Sequence, residues 1–152
     1  MRTMVPIAAF LALSLTAVPL CASSPDSVLP DQQSIDALEA RAAQAQPREQ
    51  CFLYAQLVQQ MTELSIRQYA AGDVTKATGL LKRIQRITQK IHLSLAGNDK
   101  RLKSAELLLG HTAFRLNEML QSSSIDDRAL VQQTLAQVTD AKNATMMQVF
   151  SK

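Results

Sequence analysis

The chain is predicted to be all-α: an antiparallel up-down bundle of about four long helices, preceded by a short helix and a cleaved signal peptide. Apolar residues recur at three- and four-residue steps over most of the chain, and the few β-branched residues do not alternate in period two for long. Composition points the same way, with four Gly, no Trp and abundant Ala, Leu, Gln and Lys. At 152 residues one domain with one core is expected, and 47% hydrophobic content with a net charge of +3 excludes disorder of the whole chain.

The N-terminus is read separately. Arg2 supplies a positive start, Ile7 to Leu20 is an uncharged apolar run, and Cys21-Ala22-Ser23-Ser24 supplies small residues. That order is the pattern of a secretory signal, here residues 1–22. The apolar run is shorter than the ~20 residues a membrane-crossing helix needs, which sets cleavage ahead of an uncleaved anchor. Leu20 stands where a lipoprotein signal has a small residue before its Cys, so cleavage after Ala22 or Ser23 is expected, and the protein is read as exported, periplasmic or extracellular. The exported chain then holds one cysteine, Cys51, either buried as a small apolar side chain or bonded to another molecule.

Residues 23–46 are a linker and a short leading helix. Pro25 to Pro30 is linker by composition, and Asp31 caps a helix whose Ile35, Leu38, Ala42 and Ala45 share one face. Pro47 ends or kinks it and suits the first turn of the next helix, with Glu49 near the positive helix end. Residues 47–152 form the bundle domain. Its first long helix, to about Ala71, carries Tyr54, Leu57, Val58, Met61, Leu64 and Ser65 as one stripe. Gly72 ends it and Asp73 caps the second, whose stripe is Ala77, Leu80, Leu81, Ile84, Ile87, Ile91 and Leu95. Gly97-Asn98-Asp99 repeats the stop-and-cap pattern before a third helix, about Lys100 to Gln121, burying Leu102, Ala105, Leu109, Thr112, Ala113, Leu116 and Leu120. Ser122-Ser123-Ser124 turns the chain into a fourth helix with the weakest stripe: Val131, Leu135, Val138 and Val149. Short turns make consecutive helices antiparallel.

Ala71-Gly72-Asp73, with Lys76-Ala77 and Leu80-Leu81, resembles the turn between the two helices of a tetratricopeptide repeat. The resemblance covers one hairpin, whose helices are too long for that ~34-residue unit, and no second copy is visible.

The chemistry-bearing residues are sparse. Two histidines, His92 and His111, and no Cys-x-x-Cys pair leave zinc and haem signatures absent. A di-iron bundle needs Glu-x-x-His on two helices, whereas Glu106 precedes His111 by five residues. No glycine-rich phosphate loop or nucleophile elbow occurs. The chain is therefore read as a non-enzyme with no cofactor.

Two surfaces stand out. From Asp73 to Lys103, eight basic residues face only Asp73 and Asp99, a net +6. Lys82, Arg86 and Lys90 lie away from the apolar stripe of the second helix: a solvated face, or a site for an acidic protein, membrane headgroups or a wall polymer. Export and the lack of interleaved aromatics speak against nucleic acid. On the third helix, Leu107 and Phe114 fall opposite the core stripe with His111 between them, so this helix is covered on both sides, by another helix of the chain, a partner or a homodimer contact. The expected function is a non-enzymatic protein-interaction module; the alternative is a carrier holding a small ligand or metal in the bundle interior or a side groove.

Overall fold

Asp31 starts the first helix, α1 (Gln32–Gln44), through a closed capping box. Its carboxylate accepts the Ser34 N–H at 2.7 Å while Ser34 Oγ accepts the Asp31 N–H at 3.0 Å. The computed structural model describes residues 29–97 and 101–151; the expected signal peptide, most of the linker and residues 98–100 lie outside them. Helix α2 (Pro47–Ala70) begins with Pro47 in its first turn behind an extended Gln46, the geometry a following proline imposes. It ends on Gly72 at φ +84°, with the Asp73 N–H bonded to the Gln68 carbonyl and the Gly72 N–H to that of Tyr69. Those two bonds make a Schellman ending, and the positive φ is why glycine is needed here.

Three further helices follow: α3 (Val74–Ser94) with a 3-10 turn (Leu95–Gly97) at its end, α4 (Leu102–Ser122) and α5 (Ile125–Phe150). Ser124 caps α5 as the sequence indicates, its Oγ accepting the Asp127 N–H at 3.3 Å. Asp73 does not cap α3 with its side chain; the carboxylate instead holds Lys76 Nζ at 2.6 Å. Asp99 lies outside the described residues, and the residue preceding α4 is Arg101 in a left-handed conformation (φ 62°).

The up-down course expected from the short turns is present, and the lateral order adds a second feature. Helix α2 packs on α3 and α4, and α5 packs on α3 and α4, leaving α3 and α4 on a diagonal. Arg101 lies over Phe52 and Arg115 over Glu63, so α2 and α4 advance together. Gln85 bonds Thr134 and Thr88 bonds Gln137, so α3 and α5 do as well. Two antiparallel hairpins, α2–α3 and α4–α5, are thus laid side by side with like helices parallel. Helix α1 packs against α2 on the first hairpin. Arg67 donates to the Pro30 carbonyl at one end, Gln50 to the Ala42 carbonyl at the other, so α1 folds back antiparallel to α2 rather than extending it through Pro47.

The core runs the length of the bundle: Ile35 from α1, Leu57 and Met61 from α2, Leu81, Ile84, Ile87 and Ile91 from α3, Leu109 and Leu116 from α4, all essentially without exposure. Met119 is buried where Leu120 was expected, and Ala113, Leu120, Leu135 and Val149 are half-buried at the core margin. The seam of α5 is Val131, Thr134, Val138, Ala141 and Thr145, a three-four repeat in which two positions are threonine. Their hydroxyls bond the carbonyls of Leu130 and Ala141 at 2.8 Å, so both enter the core without an unmet donor.

Arg83 ties α1 to α3. Its guanidinium bonds Asp36 at 2.6 Å and Glu39, bridging two turns of α1, and the Asp36 carboxyl is held below its ordinary range chiefly by that contact. A carboxylate with a lowered folded pKa stabilises the fold above its unfolded pKa, ~3.9, and the contribution disappears as pH falls through the folded value. Arg83→Ala is expected to cost about 1–2 kcal/mol at pH 7, a part-exposed and partly bidentate pair. Urea denaturation at pH 7 and below pH 4 checks this: the two proteins should converge in acid, and a constant difference would refute the assignment.

Candidate functional site

The α4 helix has two sides because it occupies a corner of the bundle. Leu102, Ala105, Leu109, Thr112, Leu116 and Met119 enter the core. Lys103, Leu107, His111, Phe114 and Glu118, spaced at three- and four-residue steps, form the opposite, exposed stripe. Leu107 is 62% exposed and Phe114 60% exposed, so the cover that the sequence implied for this face does not come from α1, which packs on the first hairpin. On one flank, α2 and α4 enclose an open groove of ≈ 440 Å³ lined by Phe52, Gln56, Gln59, Ser104, Leu107, Leu108 and His111.

Both ends of that groove are built by charge. At one end Arg101 stacks on Phe52, 3.4 Å from the ring centroid. At the other, Arg115 makes a forked contact to Glu63, 2.9 and 3.1 Å, and bonds Glu118 one turn on. These carboxylates push the Arg115 guanidinium further up from its already high value. His111 Nε2 stands 3.9 Å from Glu63 Oε1, beside this pair rather than within it. The groove floor is apolar and amide, framed by two fixed guanidinium groups, a lining suited to an apolar side chain with a polar rim.

Gly110 adjoins the same face. A β-carbon there would meet only Lys142, Cε at 3.6 Å, an ordinary contact. Glycine inside a helix costs about 1 kcal/mol relative to alanine. Nothing in the packing of this chain requires it.

On the other flank, α4 and α5 form a second, smaller groove lined by Lys103, Glu106, Met146, Val149 and Phe150. Met147 and Phe150 are strongly exposed. The basic residues Lys82, Arg86 and Lys90 lie along one exposed stripe of α3, as their spacing indicates. Lys90 Nζ sits 5.7 Å from the Tyr54 ring centroid. Lys82 and Arg86 have no ion pair among the described residues. The structure therefore sets the two predicted surfaces on helices diagonal to each other, and they do not form one site.

Sequence reasoning missed three contributors to the α4 region: Phe52, Glu63 and Tyr69, all on α2. Tyr69 Oη donates to Asp127 at 3.1 Å and accepts the Ser124 N–H at 2.8 Å, fixing the α4–α5 turn against α2. Only the parallel packing of α2 on α4 brings them there, and no spacing within one helix signals it. Among the described residues no group of three His, Cys, Asp or Glu is placed to hold a metal ion, and no helix is long and apolar enough to cross a membrane. Comparison with protein-family models, curated proteins and solved structures gives no match.

Proposed function

We propose that this protein is an exported, non-enzymatic interaction module that binds a protein through the outer face of α4. The single observation that supports this reading best is the exposed Leu107–His111–Phe114 stripe beside an open groove with an apolar and amide floor and charged ends. Contiguous exposed apolar surface with a polar rim is the anatomy of an association surface, and here Leu107 and Phe114 supply the apolar part and the framing guanidinium groups the rim. Export rests on the N-terminal pattern of Arg2, the Ile7–Leu20 run and the small residues after it. The Lys82-Arg86-Lys90 stripe is a second, electrostatic surface for an anionic partner.

The carrier alternative needs space. The described interior is filled by side chains at or near zero exposure, so cargo would have to sit in a side groove. Cross-linked capture from the extracytoplasmic fraction at low and moderate salt separates the readings. A protein partner held in moderate salt by the wild type and lost on joint Leu107→Ser and Phe114→Ser substitution is expected. A partner that leaves with salt and depends on Lys82 and Arg86 would move the site to α3. Capture of nothing, with a small ligand raising the melting temperature, would replace the module by a carrier.

A further inference from the structure

Resting on the reading of α4 as an interaction face, we propose that its occupant is a second copy of this chain, with the two α4 helices packed antiparallel about a twofold axis through the Gly110–His111 midpoint. The exposed stripe is its own complement when reversed. Leu107 and Phe114 lie equally far on either side of that midpoint, and so do Lys103 and Glu118. An antiparallel copy therefore sets Leu107 against the second copy's Phe114, and Lys103 against the second copy's Glu118, each contact made twice as an isologous interface demands. A parallel pair would set Lys103 against the second copy's Lys103 and Glu118 against its Glu118, which charge disfavours.

Three features of the single chain fit this arrangement. Phe114 projects 60% exposed, and Leu107, which would face it, is itself a wall of the α2–α4 groove, so the ring of one copy meets the Leu107 side chain at the edge of a mixed apolar and amide lining in the other. Lys103 has no ion pair among the described residues, so a contact with the second copy breaks none that they make; Glu118 has Arg115 on one side and solvent on the other. Gly110 stands next to the dyad, where two helix backbones come closest, and its own chain presses on it only through the stem of Lys142. A helix pair of this length is at the small end of interface sizes, so the dimer is expected to dissociate in the micromolar range, Kd on the order of 10 µM.

Sedimentation equilibrium of the purified protein from about 1 to 500 µM brackets that range. Wild type should pass from monomer to dimer, and joint Leu107→Ser and Phe114→Ser substitution should weaken the dimer by about 100-fold or more with helicity unchanged. Lys103→Glu and Glu118→Lys should each weaken it, and an equimolar mixture of those two variants should recover association because their stripes are again complementary. Register is read by cysteine cross-linking: Leu107→Cys mixed with Phe114→Cys should form disulfide-linked pairs under mild oxidant, and either variant alone should not, since like positions are ~10 Å apart along the axis. A monomer at every concentration, a dimer indifferent to the serine substitutions, or equal cross-linking of the single variants would each overturn the proposal. If the chain stays monomeric yet captures a foreign protein through Leu107 and Phe114, the self-pairing fails while the interaction face survives. If that capture is absent too, both fail.

Discussion

Ile84→Ala is expected to lower the unfolding free energy by about 2–5 kcal/mol, the range for removing a large aliphatic side chain from a packed interior. Ile84 has no exposure and lies midway along α3, where that helix meets both α2 and α5. Truncation leaves a space that these packed helices can only partly close, so a cavity term adds to the lost apolar burial. For a chain of this length the melting temperature should fall by about 5–15 °C. Ile125 gives the control: it is 92% exposed at the start of α5, and alanine there should change stability by no more than about 0.5 kcal/mol. Urea denaturation of both variants checks the pair. Equal effects would mean that the helices do not pack as described.

Cys51 is expected to resist thiol reagents while the chain is folded, with labelling at pH 8 slowed on the order of 1000-fold relative to the urea-unfolded chain. The side chain is completely buried, and burial pushes the thiol up from 9.0 to about 11, partly offset by the polar groups of Thr145 and Ser94 beside it. Access and ionisation therefore both fail in the native state. The raised value also has a consequence for stability. A group that ionises later when folded contributes fully below its unfolded pKa, so this contribution should persist to about pH 9 and be lost as pH rises through about 11. Of the two fates the sequence leaves open for Cys51, burial is the one found, and a bond between chains would require this end of the bundle to open. Rapid labelling of native protein, or a covalent dimer through Cys51 in non-reducing gels, would contradict the described packing. A thiol that stays silent also leaves introduced cysteines on α4 as clean reporters of association.

The helices were legible because most carry their own instructions. Every residue of the α3 stripe from Ala77 to Ile91 is buried, and Thr88 joins them on the same face. Asp31, Gly72 and Ser124 sit at helix boundaries for local reasons of side-chain acceptance or positive φ. Helix α5 was harder to read. Its seam uses Thr134 and Thr145, which a hydrophobic count scores as surface although a helical threonine can return its hydroxyl to the carbonyl four residues earlier. Asp73 shows the opposite error. A good capping residue in the right place makes no side-chain capping bond and holds the Lys76 ammonium instead.

The candidate face was half legible. Leu107, His111 and Phe114 emerged from periodicity alone, because apolar residues opposite a complete core stripe are conspicuous on one helix. Their neighbours Phe52 and Glu63, more than forty residues earlier, were not, since the groove exists only where α2 lies parallel to α4. Likewise, Lys82, Arg86 and Lys90 could be placed on one exposed stripe but not relative to α4.

Sequence by itself determined the helices of the described residues, most of their limits and, except on α5, most of the face each one buries, because those follow from φ/ψ preference, capping and side-chain spacing within a few residues. Tertiary structure alone decided that α1 folds back on the first hairpin and that like helices run parallel, leaving the outer side of α4 bare. The physical reason is that short turns fix the direction of consecutive helices but not which of the remaining faces meet. That choice is made by contacts such as Arg83 with Asp36, Arg115 with Glu63 and Tyr69 with Asp127, whose partners lie 47, 52 and 58 residues apart along the chain.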